Sequence, residues 1–470
     1  MLNFFRINDP YRLIFVLIIL FIVRLPFLIS GNQITYTEIE WLVIGEKMGD
    51  GFSMYGNIYH YLGPLSAGIY WLMDLVFGKS AFVYQIFGIL IVFLQASIFN
   101  FFLLNHKAYN ENNYIPALIY SVLMFTFFDF INLSPVLLGL TFVILAFDLT
   151  FRHIEGRNKR DWIVLNIGIY LGIATLFYLP MFLFMISTFF AFILFTNTIF
   201  RRYLLLLYGF FVPILMVMLY FYMKGNYQDF ASCYFYPIFL KREYILMDWK
   251  SILTIGLIPT VFVLISVLKV FTTTVFINYQ VRLQNFMMVL IGMGLLVWII
   301  DFYKPPHLWI VLVPSGAFFI THFFLLIRNK WSAEVLFIIL SGLLLYQNYA
   351  SYFGILNMNN IIRTENHLID KSNKSNMVTG RKILNLDYNR DVFLNNKMAT
   401  PYLNLELSEI QLKQLNYYDN LSKVYSNFYK DFPDEIIDTN GWMPAIFSEI
   451  PLLEKEYYIK GDDYYVRKSQ

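Results

Sequence analysis

Long apolar stretches separated by short polar loops fill the first three quarters of this chain, whereas its last quarter is mostly polar. A membrane-spanning helix needs about 20 consecutive apolar residues, and on that basis we predict about eleven spans. The pattern therefore predicts an α-helical polytopic membrane protein. The spans are expected near 13–30, 80–104, 114–130, 134–151, 163–179, 181–200, 203–223, 252–271, 286–301, 308–327 and 335–353.

The composition agrees with this interpretation. Of the 470 residues, 58% are hydrophobic and 14% are charged, and a soluble domain cannot bury so much apolar surface. The single cysteine, Cys233, excludes an internal disulfide and a cysteine-based metal cluster. The net charge of +3 is too small to indicate a nucleic-acid partner. We therefore expect membrane lipid, and no nucleic acid, as a partner.

The first apolar run follows Arg6 and Arg12, as the apolar core of a signal peptide follows basic residues. No small-residue cleavage site comes after it, and the triplet Arg24-Leu25-Pro26 interrupts it. We therefore predict that this run is a retained first span.

Basic residues are distributed unequally between the two sets of loops. If the N-terminus is inside, thirteen of them fall on the inner side and eight on the opposite side before residue 353. Because positive charge concentrates on the cytoplasmic side, we predict a cytoplasmic N-terminus, and an odd number of spans then places the tail outside. Abundant Phe, Tyr, Asn and Ile suggest an AT-rich bacterial genome. We expect a multi-pass protein of the bacterial cytoplasmic (inner) membrane with a periplasmic tail.

The polar tail predicts a separate domain. Residues 381–386 and 434–438 are typical of strands, 407–415 has helical periodicity, and 457–466 predicts a hairpin with a Gly-Asp turn. The predicted division is a transmembrane domain over 1–353, including an outer loop with amphipathic helices over 31–79, and a small extracytoplasmic α/β domain over 354–470. Protein partners could bind through the C-terminal domain.

The predicted outer loop carries several ionisable side chains. Glu38 and Glu40 precede a segment containing Tyr59 and His60. Ionisable groups at the depth of a membrane are costly unless they face a cavity or a partner, so these residues are candidates for a functional site. The alternative, to which we give similar weight, is the solvated face of an interfacial helix.

Two acidic or basic side chains lie at the predicted outer ends of spans. Arg24 could extend to the lipid headgroups, or pair with a carboxylate or a lipid phosphate. Asp129 lies in an apolar stretch and needs a partner. It could cap the helix that starts near Ser134, or line a cavity.

Two further outer loops combine cations with aromatic residues. One contains Lys241 and Arg242, and the other contains Lys304 and His307. Such cations suit a lipid phosphate, whereas the alternative is an aromatic belt with its usual flanking charges. No spacing of His or Cys indicates a metal site.

Several short segments, spread over nearly the whole length, carry a family resemblance. They are Arg24-Leu25-Pro26, Thr37-Glu38-Ile39-Glu40-Trp41, Ile44-Gly45, Met48, Gly63-Pro64-Leu65, Phe77-Gly78-Lys79-Ser80, the segment from Leu308-Trp309 to Pro314, and the tail motifs Ile383-Leu384-Asn385-Leu386 and Ala399-Thr400-Pro401-Tyr402. In these segments the chain resembles the GT-C superfamily of polytopic glycosyltransferases, and most closely its bacterial aminoarabinose- and mannosyltransferase-like members.

The resemblance implies a GT-C-like fold and transfer of a sugar from a polyprenyl-phosphate carrier at the outer membrane face, with inversion. The family's first acid, its usual base, falls on Thr37, so Glu38 is the expected base and Glu40 the second choice. Lys304, with His307 or Arg242, would hold the phosphate. The expected cofactor is the lipid-linked sugar donor itself, and a divalent cation could assist.

Two other hypotheses remain. Thr37, and the uncharged Phe177-Tyr178 where the family often has a basic residue, favour a non-catalytic GT-C-fold protein that acts as a subunit or scaffold of a membrane complex. A transporter is the third hypothesis. The spans show no inverted repeat and no matched pair of broken helices, which argues against it.

Overall fold

The computed structural model describes residues 1–31, 33–155, 160–239, 246–273, 276–301, 304–370, 380–461 and 463–468. Most of the described chain is helical. The helices are α1 (Leu2–Phe5), α2 (Arg12–Ser30), α3 (Tyr36–Gly49), α4 (Pro64–Phe77), α5 (Ala81–Asn105), α6 (Ile115–Leu123), α7 (Pro135–Ile154), α8 (Asp161–Phe177), α9 (Leu183–Phe195), α10 (Phe200–Met223), α11 (Tyr227–Tyr234), α12 (Trp249–Phe271), α13 (Asn278–Ile300), α14 (Val313–Leu326), α15 (Lys330–Phe353), α16 (Leu405–Lys413), α17 (Tyr418–Lys430), α18 (Met443–Glu449) and α19 (Pro451–Glu456).

Short strands and 3-10 helices complete the described structure. The strands are β1 (Gln33–Thr35), β2 (Leu368–Asp370), β3 (Lys382–Asn385), β4 (Lys397–Met398), β5 (Glu435–Ile437), β6 (Tyr457–Gly461) and β7 (Tyr464–Arg467). The 3-10 helices are Phe128–Ile131, Leu179–Phe182, Tyr236–Phe239, Pro306–Leu312, Ile355–Asn360 and Asp391–Leu394.

Eight helical segments among the described residues are long and apolar enough to cross a membrane. They are α2, α5, α7, α10, α12, α13, the continuous segment Pro306–Leu326 and α15. Each coincides with a predicted span, so a multi-pass helical membrane protein is confirmed. The apolar segments Asp161–Phe177 and Leu179–Phe195, at two further predicted spans, are shorter than these eight.

The span predicted near 114–130 has a different structure, because α6 ends at Leu123. The carbonyl oxygens of Phe125 and Thr126 accept hydrogen bonds from the side-chain amides of Asn348 and Gln347, at 2.8 and 2.9 Å. These buried amides replace the helical hydrogen bonds. An irregular backbone is therefore tolerated inside the apolar protein.

Close packing of α8 against α10 depends on glycines. An added Cβ at Gly168 would lie 2.3 Å from the carbonyl oxygen of Leu206, and one at Gly172 would lie 2.3 Å from that of Phe210. An added Cβ at Gly209 of α10 would likewise lie 2.3 Å from the carbonyl oxygen of Leu165. The pair Gly168 and Gly172 is a GxxxG motif, which lets two helix backbones approach closely in a membrane.

The described chain forms two compact units. The first unit comprises Met1–Ser30, Phe82–Val217 and Ile245–Thr364, and is helical. The second comprises Gly31–Ala81, Met218–Tyr244 and Glu365–Gln470. This division differs from the predicted boundary at residue 353, because the segment predicted as an outer loop belongs to the same unit as the tail.

A mixed five-stranded sheet lies in the second unit, in the order β4-β3-β5-β7-β6. β3 pairs in parallel with β4 and β5, and β7 pairs in antiparallel with β5 and β6. The two predicted strands, the helix near 407–415 and the closing hairpin are all present. A separate antiparallel pair joins β1 to β2, so that the segment after α2 is bonded to residues 368–370.

Candidate functional site

A group of three tryptophans and one lysine lies in the first unit, where α12 begins, α13 ends and Pro306–Leu312 follows. We call Trp249, Trp298, Trp309 and Lys304 the lysine–tryptophan cluster. The ring centroids of Trp249 and Trp298 are 5.3 Å apart, and those of Trp298 and Trp309 are 5.7 Å apart. The Lys304 ammonium nitrogen lies 3.8 Å from the Trp249 centroid and 5.1 Å from that of Trp298. The ammonium is therefore held over ring faces.

This cluster contains hydrogen-bond donors that have no acceptor among the described residues. The indole nitrogens of Trp298 and Trp309 are buried and make no hydrogen bond within that part of the chain. The Lys304 ammonium contacts rings and makes no hydrogen bond or ion pair with another described residue. Burial lowers the pKa of this lysine, and the charge of Asp301 opposes that effect. Desolvated donors without acceptors are costly, so an anion would be stabilised here.

An apolar cavity of about 230 Å³ adjoins the cluster within the first unit. Trp309 belongs to both, and its ring lies against α12 because residue 256 is glycine: an added Cβ there would be 2.7 Å from the ring. The rest of the lining comes mainly from α12, α13 and α14. Two lining side chains, Leu264 and Leu295, are 56% and 40% exposed, so the cavity opens at the lipid-facing surface.

Asp301 connects the end of α13 to the lysine. One of its carboxylate oxygens accepts a hydrogen bond from the Lys304 backbone N–H at 3.0 Å. The other accepts a hydrogen bond from the Tyr178 hydroxyl, at the end of α8. Lys304 has a φ of 44°, in the left-handed region that favours glycine. The carboxylate therefore stabilises an unfavourable backbone conformation at Lys304, which we call the Lys304 turn.

A second polar network is buried in the first unit. His307 Nδ1 lies 2.7 Å from Asp129 Oδ2, and the Asn132 amide donates to Asp129 Oδ1 at 3.3 Å. The Arg24 guanidinium donates to Asn132 Oδ1 and, at 2.6 Å, to the carbonyl oxygen of Phe128. Arg24 is only 3% exposed, so it is engaged with protein groups rather than extended toward headgroups. The network fixes the first span to the loop before α7.

The cap of α7 is Ser134 and not Asp129. The Ser134 hydroxyl accepts a hydrogen bond from the Leu137 backbone N–H at 3.1 Å, as expected of an N-cap residue. Asp129 is buried with His307 instead. Of the two roles considered for Asp129, the capping role is therefore wrong.

Glu40 lies in a buried charge cluster of the second unit. Its carboxylate is 3.4 Å from His60 Nε2 and 3.2 Å from Arg390 Nε. Burial raises the pKa of Glu40, but the hydrogen bonds and charges of His60 and Arg390 outweigh it, and the net pKa is below the ordinary value. A carboxylate with a lowered pKa is a weak base, so this geometry favours a structural role.

The other predicted residues of the second unit are also buried. Glu38 is 1% exposed in the first turn of α3, and its backbone N–H donates to the Thr35 hydroxyl at 3.2 Å. The Tyr59 backbone N–H donates to the Pro401 carbonyl oxygen at 2.7 Å, and its hydroxyl accepts from Gln411 at 3.2 Å. Tyr59 therefore joins two segments of this unit.

The structure brings Asp129 together with His307, and Glu40 together with His60. Lys241 and Arg242, predicted to bind phosphate, lie outside the described residues. The sequence analysis gave no site role to seven residues of these clusters: Asn132, Tyr178, Trp249, Trp298, Asp301, Trp309 and Arg390. The sequence did indicate the tryptophans, because aromatic residues are enriched at the ends of membrane spans. This enrichment does not distinguish an ordinary aromatic belt from a binding site.

Comparisons of the chain with protein-family models, with curated proteins and with solved structures found no match. The resemblance to the GT-C superfamily therefore stays a prediction from short sequence motifs. Function must be argued from the site itself, because a fold alone does not define chemistry.

Proposed function

We propose that this protein binds a polyprenyl-phosphate-linked sugar at the lysine–tryptophan cluster and transfers the sugar at the extracytoplasmic face of the bacterial cytoplasmic membrane. One observation carries the proposal. The Lys304 ammonium and two buried indole N–H groups have no acceptor among the described residues, and one of those indoles, Trp309, lines an apolar cavity.

The chemistry of the cluster suits a phosphate. An ammonium and indole N–H groups are hydrogen-bond donors, and phosphate oxygens accept hydrogen bonds from such groups. The cavity suits one lipid chain. It would contribute to binding mainly through van der Waals packing, because a chain that leaves the bilayer for the cavity moves from one apolar medium to another. We therefore attribute selectivity over bulk lipid to the headgroup cluster.

Glycosyl transfer from such a donor breaks the bond between the sugar and the phosphate oxygen. The bond electrons leave with the phosphate, whose developing negative charge Lys304 would stabilise. The acceptor hydroxyl forms the new bond to the sugar and must lose its proton to a base, a role that the family resemblance assigns to Glu38. Glu40 suits this role less well, because its carboxylate is engaged with His60 and Arg390.

A second candidate function is a non-catalytic subunit or scaffold of a membrane complex that binds the same lipid. Two observations favour it. Thr37 replaces the acid expected from the family resemblance, and the nearby Glu40 is held in buried ion pairs with a lowered pKa.

An assay of carrier release separates the two candidates. The full chain in nanodiscs is mixed with polyprenyl phosphates carrying radiolabelled hexoses or aminopentoses, and with envelope extract as a source of acceptors. We expect release of polyprenyl phosphate by the wild-type protein from at least one donor. Glu38→Gln should abolish release while the variant still binds the donor.

One result would contradict the enzyme proposal, and another would contradict the role of Glu38. One is binding without release from every donor, which supports the scaffold. The other is unchanged release by Glu38→Gln, which excludes Glu38 as the base. Glu409→Gln, at an exposed carboxylate of α16, is the matched control and should leave release unchanged.

A further inference from the structure

Lys304 itself has an unfavourable backbone conformation, the Lys304 turn. Its φ of 44° lies in the region that non-glycine residues seldom adopt, and lysine has no special tolerance for it. Such a conformation persists only where neighbouring groups hold it, and it is found most often at functional sites. The groups that hold this turn are therefore of interest.

Two side chains stabilise the turn. The Asp301 carboxylate accepts the Lys304 backbone N–H at 3.0 Å with one oxygen, and the Tyr178 hydroxyl donates to the other. Asp301 is 9% exposed, so both hydrogen bonds are largely shielded from water. Tyr178 follows α8, which fixes the carboxylate from a different part of the first unit.

The arrangement separates the lysine ammonium from the nearest carboxylate. Asp301 uses its oxygens for the backbone N–H and for a phenol, and the ammonium lies over Trp249 and Trp298 instead. An ammonium paired directly with a carboxylate would have to give up that partner before binding an anion. An ammonium held on ring faces has no such competitor.

We propose that Asp301 and Tyr178 are positioning residues, which hold the Lys304 turn so that its ammonium selects a phosphate headgroup over a neutral one. This inference rests on the proposed function for the identity of the ligand. The positioning itself is a property of the ligand-free protein and can be tested separately.

The first test observes Lys304 without any lipid. The lysines of the full chain are reductively methylated with a ¹³C label, and the Lys304 signal is assigned with Lys304→Met. Because the ammonium lies over Trp249, its methyl signal should be displaced upfield by the ring current. Asp301→Ala and Tyr178→Phe should each move it toward the position of an exposed lysine, whereas the signal of Lys250 stays unchanged. A Lys304 signal unaffected by both variants would overturn the positioning role.

The second test measures selectivity in nanodiscs, as the ratio of the dissociation constants of polyprenol and polyprenyl phosphate. We expect a wild-type preference for the phosphate of about tenfold or more, which corresponds to one charge-assisted hydrogen bond. Asp301→Ala and Tyr178→Phe should lose most of it. Asp301→Asn keeps one acceptor oxygen and should retain part of the preference for the phosphate. In a Lys304→Met background, Asp301→Ala should cause no further loss.

The outcomes separate the two proposals. A wild-type protein that binds both lipids equally would overturn the proposed function and, with it, the phosphate role of the turn. A wild-type protein that prefers the phosphate, and keeps this preference in Asp301→Ala and Tyr178→Phe, would overturn the inference alone. A general loss of folding would lower binding of both lipids and leave their ratio unchanged, so the ratio reports positioning rather than stability.

Discussion

The ammonium nitrogen of Lys304 lies 3.8 Å from the ring centroid of Trp249, which begins α12. A cation held over an aromatic face gains about 0.5–2 kcal/mol, depending on how far it is desolvated. This contact fixes the position of the charge but leaves its N–H groups able to bind an oxygen ligand. The lysine is thus prepared for an anion. Four predictions follow, two from this site and two from other parts of the structure.

The charge of Lys304 should control binding of a phosphate lipid. Lys304→Met should weaken binding of polyprenyl phosphate by about tenfold or more, because one charge-assisted hydrogen bond is lost. Added salt should weaken binding to the wild-type protein more than to the variant. Salt screens the attraction between the Lys304 charge and the lipid phosphate, and the variant lacks that charge. Native mass spectrometry of lipid-loaded protein measures both effects.

The matched control for that prediction is Lys250→Met. Lys250 is an exposed lysine in the first turn of the same helix, next to Trp249. The Lys250→Met variant should bind polyprenyl phosphate as tightly as the wild-type protein does. Equal losses in the two variants would show a general effect of surface charge and contradict the site.

Gly256 should determine whether the cavity accepts a chain. A side chain there would collide with the Trp309 ring, 2.7 Å from the added Cβ. Gly256→Val should displace this ring and reduce the volume of the cavity, and we expect about tenfold weaker lipid binding, since overpacking typically costs about 1–3 kcal/mol. Gly292→Val on α13, where an added Cβ contacts nothing within 4 Å, is the control. Equal binding by the two variants would exclude the cavity as the chain site.

The glycine contact of α8 with α10 should stabilise the transmembrane region. Gly168→Val would place a methyl-bearing carbon 2.3 Å from the Leu206 carbonyl oxygen, so the helices must separate. We expect a loss of about 1–3 kcal/mol of stability, measured as a lower midpoint of thermal unfolding in detergent. Gly342→Val on α15 meets nothing within 4 Å and should cost less. A similar midpoint for both variants would show that the close approach is unimportant.

Glu40 should make the stability of the second unit depend on acidic pH. Its folded-state pKa is lowered, because His60 and Arg390 outweigh the effect of burial. The stabilisation is therefore fully present above the ordinary pKa of 4.5, and is lost as the pH falls through the lower folded-state pKa. Glu40→Gln should remove this dependence. At neutral pH it should cost about 3–5 kcal/mol, because a buried arginine loses its charged partner.

Thermal unfolding measured between pH 3 and pH 7 tests this prediction, because this range includes the ordinary carboxyl pKa values of about 4. Glu409→Gln, an exposed carboxylate paired with Lys413 on α16, is the control and should change stability by about 0.5 kcal/mol at most. If Glu40→Gln were as stable as this control at neutral pH, the buried ion pairs would not stabilise the unit.

The transmembrane helices could be predicted because their signal is local. A stretch such as α12 is apolar along its whole length, and its length alone indicates a span. The break after α6 could not be predicted in this way. The amides that accommodate it belong to Gln347 and Asn348, which are 221 and 223 residues away from their acceptors along the chain.

The candidate site shows the same limit. Lys304 and His307 are three residues apart, and the family resemblance implied that Lys304, with His307 or Arg242, holds a phosphate. In the structure His307 pairs with Asp129, 178 residues away, whereas Lys304 lies on tryptophans of two helices. The pairing of Glu40 with Arg390 joins residues 350 positions apart. Such partners are chosen by tertiary packing, and spacing along the chain carries no signal for them.

The measurement that tests the central claim most directly is photo-crosslinking of the wild-type protein in nanodiscs with a polyprenyl phosphate that carries a diazirine on its chain. We predict crosslinks in the peptide that includes Gly256 and Leu264. They should be competed by unlabelled polyprenyl phosphate but not by polyprenol, and they should be lost in Lys304→Met. Crosslinks on the exposed face of α10 instead, or equal competition by both lipids, would contradict a phosphate-lipid site at the lysine–tryptophan cluster.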